Sequence, residues 1–375
     1  MSAASNPVDP GGLMEYSVVY TDRALNHMSQ NFQGVMRDIS AVLRKAYAAD
    51  AAVLVPGGGT YAMEAVARQF AGGAQCLVLR NGWFSFRWSQ ILDMGGIATA
   101  TTVLKAQRQG EGAQVPFAPA PISEVVAAIR AQRPAVVFAP HVETASGIVL
   151  PDDYLQAVAT ATREVGGLFV LDCIASGALW VDMRATGIDV LISAPQKGWS
   201  GPSCCGLVGL GERAIARLAE TTSSSFACDL KKWRQIMETY ENGGHAYHAT
   251  MPTDALRMVR DAMRATEAFG FELARERQWE LGRQVRALTR ERGFPSVAAS
   301  GFEAPGVVVS YTSDPEIQSA KKFVALGFQL AAGVPLQCDE PADFRSFRIG
   351  LFGLDKLADI DRTVARLSDA FDRIA

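Results

Sequence analysis

Residues 188–199 read IDVLISAPQKGW: an apolar run, a short turn and then a lysine. A second apolar run, CGLVGL, follows at 205–210. Runs that are apolar at nearly every position are typical of strands covered on both faces of a parallel sheet. Lysine is among the residues that are least often buried. The position of Lys197 between two predicted buried strands is therefore unusual for a lysine. A chemical role would explain it.

The same pattern extends through the first two thirds of the chain, where short apolar runs alternate with amphipathic ones. This alternation predicts an α/β fold with an open, mostly parallel sheet and helices on both faces. The remaining predicted strands are AAVLV at 51–55, QCLVL at 75–79, AVVFA at 135–139 and LFVLD at 168–172. The predicted helices lie at 60–71, 84–94, 122–132 and 152–165.

After about residue 250 the pattern changes. Residues 253–292 are amphipathic and predict a long connecting helix. A smaller α+β domain should follow, in which strands and helices no longer alternate regularly. Its predicted elements are a strand at 306–312, a helix near 315–331, a strand at 346–352 and a last helix at 354–374.

Bulk composition excludes several classes of protein. The 375 residues carry a formal net charge of −3, which gives no electrostatic reason to bind nucleic acid or an anionic membrane. No apolar run approaches the ~20 residues of a membrane helix, and the N-terminal residues do not resemble a secretory signal. Six cysteines without a C-x-x-C motif and four scattered histidines predict no disulfide framework and no metal site. We expect a cytoplasmic protein.

The segment AAVLVPGGGTYAMEAV at 51–66 predicts a phosphate site. A strand ends, three glycines follow and a helix begins, so that free N–H groups and the helix dipole can bind an anion. Thr60 is expected to cap the helix with its hydroxyl near that anion. Gly57, Gly59 and Ala62 also fit the dinucleotide motif G-x-G-x-x-A, and Arg80 could accept NADP. An NADP-dependent oxidoreductase therefore remains an alternative.

Two charged residues follow predicted strands at the same sheet edge. Asp172 ends the strand LFVLD, and Lys197 follows the strand at 188–192. Ligands of open α/β sheets bind at the carboxyl ends of the strands. A shielded lysine is a usable amine nucleophile, and a buried carboxylate needs a partner, either a protonated ring nitrogen or an arginine. A phosphate turn, an acid and a lysine are the set that a phosphorylated pyridine aldehyde requires.

With these motifs in this order, the chain resembles the class V aminotransferases, which are pyridoxal-phosphate (PLP) enzymes of fold type I. The resemblance covers residues 25–372 and is greatest to the alanine–glyoxylate and 2-aminoethylphosphonate–pyruvate aminotransferases. It implies a mostly parallel seven-stranded sheet. It also implies an N-terminal arm at 1–20, a large PLP-binding domain at 21–255 and a small α+β domain at 256–375.

The resemblance also implies the site residues that hold the cofactor. Lys197 would form the Schiff base and Asp172 would pair with the pyridinium nitrogen. An aromatic residue of NGWFSFRW at 81–88 would stack on the ring; this is Phe84, with Trp83 as its neighbour. The remaining contacts are Gly58, Gly59 and Thr60 in GGGT and Gln196 in SAPQK for the phosphate, and Thr144 in HVETASG for the ring hydroxyl.

Other residues implied by the resemblance concern the substrate and a second subunit. Tyr247 and Thr250 in YHAT would reach the phosphate of the other subunit of a homodimer. Arg348 in FRIG would bind the substrate carboxylate, although it could instead pair with Asp343 or Glu340. Three segments differ from the family and could border the substrate pocket: residues 9–22 with Gly12, the loop around Trp199, and QLAAGVPL at 329–336.

The expected activity is transfer of an amino group from a small amino acid, such as alanine or serine, to glyoxylate or pyruvate. Transfer from 2-aminoethylphosphonate is one alternative. A PLP-dependent lyase, such as a cysteine desulfurase or a kynureninase, is another, and for a desulfurase Cys338 lies in the right late region of the chain. Desulfurases usually carry His rather than Gln before the lysine. A catalytically inactive relative that binds a partner or senses a ligand is a further alternative.

Overall fold

The computed structural model describes residues 8–374, and a mostly parallel seven-stranded sheet forms its centre. The strands of this sheet are β1 (Ala51–Pro56), β2 (Gln75–Arg80), β3 (Ala100–Lys105), β6 (Val136–Pro140), β9 (Leu168–Asp172), β10 (Val190–Ser193) and β11 (Cys205–Leu210). Shorter strands elsewhere are β4 (Gln107–Arg108), β5 (Phe117–Ala118), β7 (Val142–Glu143), β8 (Ile148–Val149), β12 (Val307–Tyr311), β13 (Ala331–Ala332) and β14 (Ser346–Gly350).

Helices pack around these sheets. In the first part of the chain they are α1 (Gln30–Tyr47), α2 (Gly59–Phe70), α3 (Trp83–Met94), α4 (Ile122–Gln132), α5 (Asp152–Glu164), α6 (Met183–Thr186), α7 (Glu212–Glu220) and α8 (Leu230–Glu241). The later ones are α9 (Thr253–Phe269), α10 (Phe271–Glu291), α11 (Pro315–Gln318), α12 (Lys321–Ala325), α13 (Leu354–Ala358) and α14 (Ile360–Ile374).

The large sheet has the strand order β1-β11-β10-β9-β6-β2-β3. The pairs β10/β9, β9/β6, β6/β2 and β2/β3 are parallel, whereas β11 is antiparallel to both of its neighbours. The central strands β6, β9 and β10 are buried at every position, which explains their continuously apolar sequences. The α/β fold class and the mostly parallel sheet are confirmed.

This topology brings the ends of several strands to one edge. Asp172 is the last residue of β9, and Lys197 lies in the turn after β10. Helices α2 and α3 begin just after β1 and β2, so that their N-termini lie at the same edge. The residues that were predicted to carry chemistry therefore converge where an open α/β sheet binds its ligands.

The second sheet is antiparallel, with the order β12-β14-β13. Arg348 lies in its central strand, opposite Val309 of β12 and Ala331 of β13. The single long helix predicted over 253–292 is wrong, because Gly270 adopts φ +98° between α9 and α10. The predicted helix at 315–331 is also wrong: the structure has α11, α12 and then β13. The last predicted helix is divided into α13 and α14.

Candidate active site

A cavity of about 240 Å³ lies at the carboxyl edge of the large sheet. The residues that line it come from five separate segments of the chain, and these segments meet only in the folded sheet. The predicted site residues in its wall are Gly59, Thr60, Phe84, Thr144, Asp172, Gln196 and Lys197.

Asp172 supplies a buried carboxylate to this cavity. Its Oδ1 accepts a hydrogen bond of 2.9 Å from the Ile174 amide, the one hydrogen-bond donor to it among residues 8–374. Burial raises the pKa of the carboxyl to about 6, although the Ile174 amide and the Lys197 ammonium favour the ionised form. No arginine of the described chain lies within ion-pair distance of it. The arginine-paired alternative is therefore wrong, and the carboxylate can accept a further donor.

Lys197 is half-buried in the turn that follows β10. Its Nζ lies 5.8 Å from the centre of the Phe84 ring and 5.6 Å from that of Phe352. Burial lowers the pKa of the amine, and the positive charge of Arg348 lowers it further, while Asp172 opposes both effects. A lower pKa increases the neutral fraction, which is the form that attacks a carbonyl or accepts a proton.

The glycine-rich turn begins α2. Gly58 is the N-cap residue and Gly59 the first helical one, and the first helical hydrogen bond runs from the Tyr61 amide to the Gly58 carbonyl. Thr60 is therefore not the N-cap, as the sequence predicted, because the helix starts one residue earlier. A Cβ at position 59 would lie 2.5 Å from Cδ1 of Ile174, so the turn packs closely against the segment after β9. Close packing of this kind favours glycine.

Phe84, in the first turn of α3, is the aromatic residue that faces the cavity. Its ring lies 5.4 Å from Cζ of Arg348. Trp83 instead packs near Phe86, with ring centres 5.8 Å apart. Of the two aromatic candidates, Phe84 has the position from which a ring could be stacked.

Glu143 was missed by the sequence analysis. Its carboxylate is fully buried and accepts hydrogen bonds from the amides of Phe84 (3.2 Å), Ser85 (2.8 Å) and Ala145 (2.9 Å). The Ser85 hydroxyl donates a fourth bond of 2.6 Å. The carboxylate thus caps α3 and holds Phe84 beside Thr144. A carboxylate just after the apolar strand at 136–140 was the available signal, since a buried charge must have partners.

Arg348 reaches this region from the second sheet. Its Nε donates to the Ala332 carbonyl at 2.8 Å, and burial lowers the pKa of its guanidinium. Pairing with Asp343 or Glu340 is not observed in the described chain; Glu340 instead accepts the amides of residues 336–338. The segment QLAAGVPL thus contacts Arg348 through Ala332, so one of the three divergent segments does border the region.

Other predicted residues lie away from the cavity of their own chain. The Tyr247 hydroxyl is 2.9 Å from that of Thr250, and both residues are exposed. Gly12 lines a separate cavity, of about 710 Å³, formed by the N-terminal segment. Of the loop around Trp199, Gln196 and Lys197 line the cavity of the candidate site. Trp199 itself does not, because it is fully buried, with its ring centre 4.5 Å from that of Trp180.

The structure also bears on the alternative functions. The Cys338 thiol is buried and donates to the Arg80 carbonyl at 3.3 Å, and burial raises its pKa to about 12. A neutral, fixed thiol is unsuited to the mobile nucleophile of a desulfurase. Strand β1 pairs with antiparallel β11 at the sheet edge, whereas a dinucleotide fold places its first strand among parallel neighbours.

Neither a membrane span nor a metal site is evident in residues 8–374. No helix in that range is long and apolar enough to cross a bilayer. No group of three or more His, Cys, Asp or Glu residues in that range is placed to hold a metal ion.

Comparison with known proteins finds one family and several relatives of different printed function. The sequence model of the family Aminotransferase class-V matches residues 13–307. The small subunit of a soluble hydrogenase from Synechococcus sp. is 25% identical over 311 residues, covering 82% of this chain and 77% of that protein. A 2-aminoethylphosphonate–pyruvate transaminase from Paraburkholderia phymatum is 29% identical over 361 residues, which cover 92% of this chain and 90% of that protein. Alanine–glyoxylate aminotransferase from Nostoc sp. has the same fold, with a TM-score of 0.80 at 22% identity over 93% of this chain and 89% of that chain.

Proposed function

The chain belongs to the class-V aminotransferases, which depend on PLP, and from this premise we propose that it moves the amino group of a small amino acid, such as alanine or serine, to glyoxylate or pyruvate. One observation carries the proposal: Lys197 and Asp172 share a cavity, and the Arg348 guanidinium lies 5.4 Å from the Phe84 ring in its wall. The first two are the residues that PLP chemistry needs, and the third is suited to a substrate carboxylate.

The residues of the cavity fit PLP in their chemistry. Asp172 has a raised pKa and one amide donor, so a protonated pyridine nitrogen would supply the partner that its buried carboxylate lacks. The amides of Gly58, Gly59 and Thr60 precede the first helical hydrogen bond and are suited to a phosphate. Gln196 and Thr144 add polar side chains to the same wall. We assign these residues, with Phe84 against the ring, as the cofactor site.

When bound, PLP supplies an aldehyde and a ring that accepts electrons. Lys197 would hold the cofactor through its amine, and an incoming amino acid would free that amine. Once free, this amine would be placed to move the Cα proton of the substrate, as general base and acid. Asp172 would pair with the ring nitrogen and favour its protonated form. Arg348 binds the substrate carboxylate with its planar fork of donors and so fixes the direction of Cα.

We further propose a homodimer in which Tyr247 and Thr250 complete the partner's phosphate site, with Gly12 as a substrate-binding residue. The apolar side chains of Leu13, Met14, Tyr16 and Val18, at least 74% exposed, support a second copy of the chain as their cover. The proposal keeps the domain boundaries at residues 20 and 255. The second boundary is supported by the division of the strands into two sheets, one with strands within 51–210 and the other with strands within 307–350.

Mixed dimers test the sharing of residues. One subunit would carry Lys197→Ala and the other Tyr247→Phe with Thr250→Ala. If the site is shared, the mixed dimer contains one fully wild-type site and recovers about half the activity. Two defective sites and no recovery would refute the shared arrangement.

A donor screen tests the activity. The protein, loaded with PLP, is mixed separately with alanine, serine, glycine and 2-aminoethylphosphonate while the visible absorbance of the cofactor is followed. We expect an amino acid to convert the cofactor to its amine form and glyoxylate or pyruvate to restore it. The Arg348→Gln variant should need a much higher concentration of the carboxylated substrates. A protein that binds PLP but responds to none of the four donors would refute the proposal.

One second candidate has specific support. The relative from Paraburkholderia phymatum, which aligns with 92% of the chain, is a 2-aminoethylphosphonate–pyruvate transaminase. If 2-aminoethylphosphonate reacts and the amino acids do not, this function replaces the first. In that case Arg348→Gln should impair only the half-reaction with the 2-oxo acid, because that donor has no carboxylate.

A further inference from the structure

We propose that Arg87 is the counter-ion of the cofactor's phosphate group. This inference deepens the proposed function and rests on it. Arg87 lies on α3, three residues after Phe84, so both side chains project from the same face of the helix. Both line the cavity, and Cζ of Arg87 is 5.4 Å from the centre of the Phe84 ring.

Arg87 is tied directly to the glycine-rich turn. Its Nη1 donates a hydrogen bond of 3.0 Å to Oγ1 of Thr60. This bond places a guanidinium next to the amides that are assigned to the phosphate. A guanidinium has five N–H donors, so the bond to Thr60 leaves donors for a second acceptor.

The charge of Arg87 is not balanced by protein. No carboxylate of residues 8–374 lies within ion-pair distance of it. Arg68, on neighbouring α2, shows the usual alternative: its Nε pairs with Glu64 at 2.7 Å. An arginine stays protonated at any physiological pH. The positive charge of Arg87 therefore acts on the cavity, where it favours ionised Asp172 and disfavours protonated Lys197.

The charge of the phosphate requires such a group. A phosphate ester carries between one and two negative charges near neutral pH. The other groups assigned to it, the amides of the turn, Thr60 and Gln196, are all neutral, and a helix N-terminus supplies only about half a positive charge. An anion that leaves water without a cation is strongly disfavoured. Lys197 is committed to the aldehyde, which leaves Arg87 as the other cation in the cavity wall.

Comparing a ligand with and without phosphate tests this assignment. Cofactor-free wild type, Arg87→Gln, Arg87→Lys and the matched control Arg68→Gln are titrated with PLP and with pyridoxal, and Kd is measured from absorbance. For Arg87→Gln, the Kd of PLP should rise roughly 10- to 100-fold, the usual effect of one charge-assisted hydrogen bond. The Kd of pyridoxal should stay within about threefold. Arg87→Lys should lie between wild type and Arg87→Gln, and Arg68→Gln should bind like wild type.

Each other result overturns the inference. An equal loss for PLP and pyridoxal would mean that Arg87 only supports the local structure, and an unchanged Kd for PLP would mean that it carries no part of the phosphate site. Thermal unfolding of the apoproteins verifies that the variants fold. If wild type itself binds no PLP, the proposed function fails, and this inference fails with it.

Discussion

Replacing Asp172 with asparagine should stabilise the cofactor-free protein at neutral pH while it abolishes transamination. In the apoprotein the carboxylate is buried with a single amide donor. Ionising it therefore has a cost in the folded state that does not arise in the unfolded chain. Asparagine keeps the shape and an acceptor oxygen but has no charge to desolvate.

The pKa of the Asp172 carboxyl sets the size of this effect. Burial raises that pKa from 3.8 to about 6. Since a tenfold change in an equilibrium constant is about 1.4 kcal/mol, keeping the ionised carboxylate in the folded state costs about 3 kcal/mol. The asparagine variant should gain up to this amount in its free energy of unfolding.

The sign of the pH dependence follows from the same values. A carboxyl whose pKa is higher in the folded than in the unfolded state binds more protons when folded. The contribution of this carboxyl to the free energy of unfolding is therefore greatest below pH 4 and is lost as the pH rises through about 6. The variant lacks this loss, so the two proteins should be nearly equally stable near pH 4 and differ most above pH 7.

Urea unfolding of the apoproteins at pH 4 and pH 7.5, at one protein concentration, measures the difference in the free energy of unfolding at each pH. Asp369→Asn is the matched control, because Asp369 is exposed and its ion pair with Arg373, at 3.3 Å, lies on the surface. That variant should stay within about 0.5 kcal/mol of wild type at both pH values. If Asp172→Asn destabilises the protein at pH 7.5, or if its effect is the same at both pH values, the reasoning is wrong.

Three further substitutions separate the roles of other residues. Lys197→Ala should eliminate turnover and the visible absorbance of the covalently held cofactor, and an active variant would rule out its assigned role. Glu143→Gln should lower the free energy of unfolding by roughly 2–3 kcal/mol, because an amide cannot accept the four hydrogen bonds that the carboxylate accepts. An unchanged urea midpoint would contradict this. The wild type should release no sulfide from cysteine, and Cys338→Ala should keep transamination within about threefold, since the native thiol is neutral and fixed; sulfide release by the wild type that the variant lacks would support the lyase alternative.

The fold was predictable from sequence wherever strands are buried on both faces. Strands such as β9 and β6 are apolar throughout, so periodicity identifies them directly. Strand β3, with the sequence ATTVLK, was not predicted, because it lies at the sheet edge and is only half-buried. Helix α1 has the signals of a helix, including the N-cap Ser29, but lies before the alternating pattern begins.

The site was predictable in its residue types but not in its contacts. Glycines, an acid and a lysine after successive strands indicate a cofactor edge, because parallel topology brings those ends together. The bonds between Glu143 and Ser85 join residues 58 apart, and no local pattern indicates such a pair. Arg80, considered for NADP, instead lies 4.5 Å from the Phe86 ring and donates to Ser89, which only the fold could show.

The charges around the cavity connect these observations. Three cationic side chains, Lys197, Arg87 and Arg348, surround the Phe84 ring at 5.4–5.8 Å. Of the two buried carboxylates nearby, Glu143 accepts hydrogen bonds from α3 and from the Ala145 amide, and Asp172 has one amide donor. The protein thus leaves an excess of positive charge and one underused acceptor. A phosphate and a substrate carboxylate would balance the excess positive charge, and a pyridinium N–H would donate to the free acceptor of Asp172. Removing Asp172 or Arg87 should therefore have separable effects, on the ring nitrogen in one case and on phosphate affinity in the other.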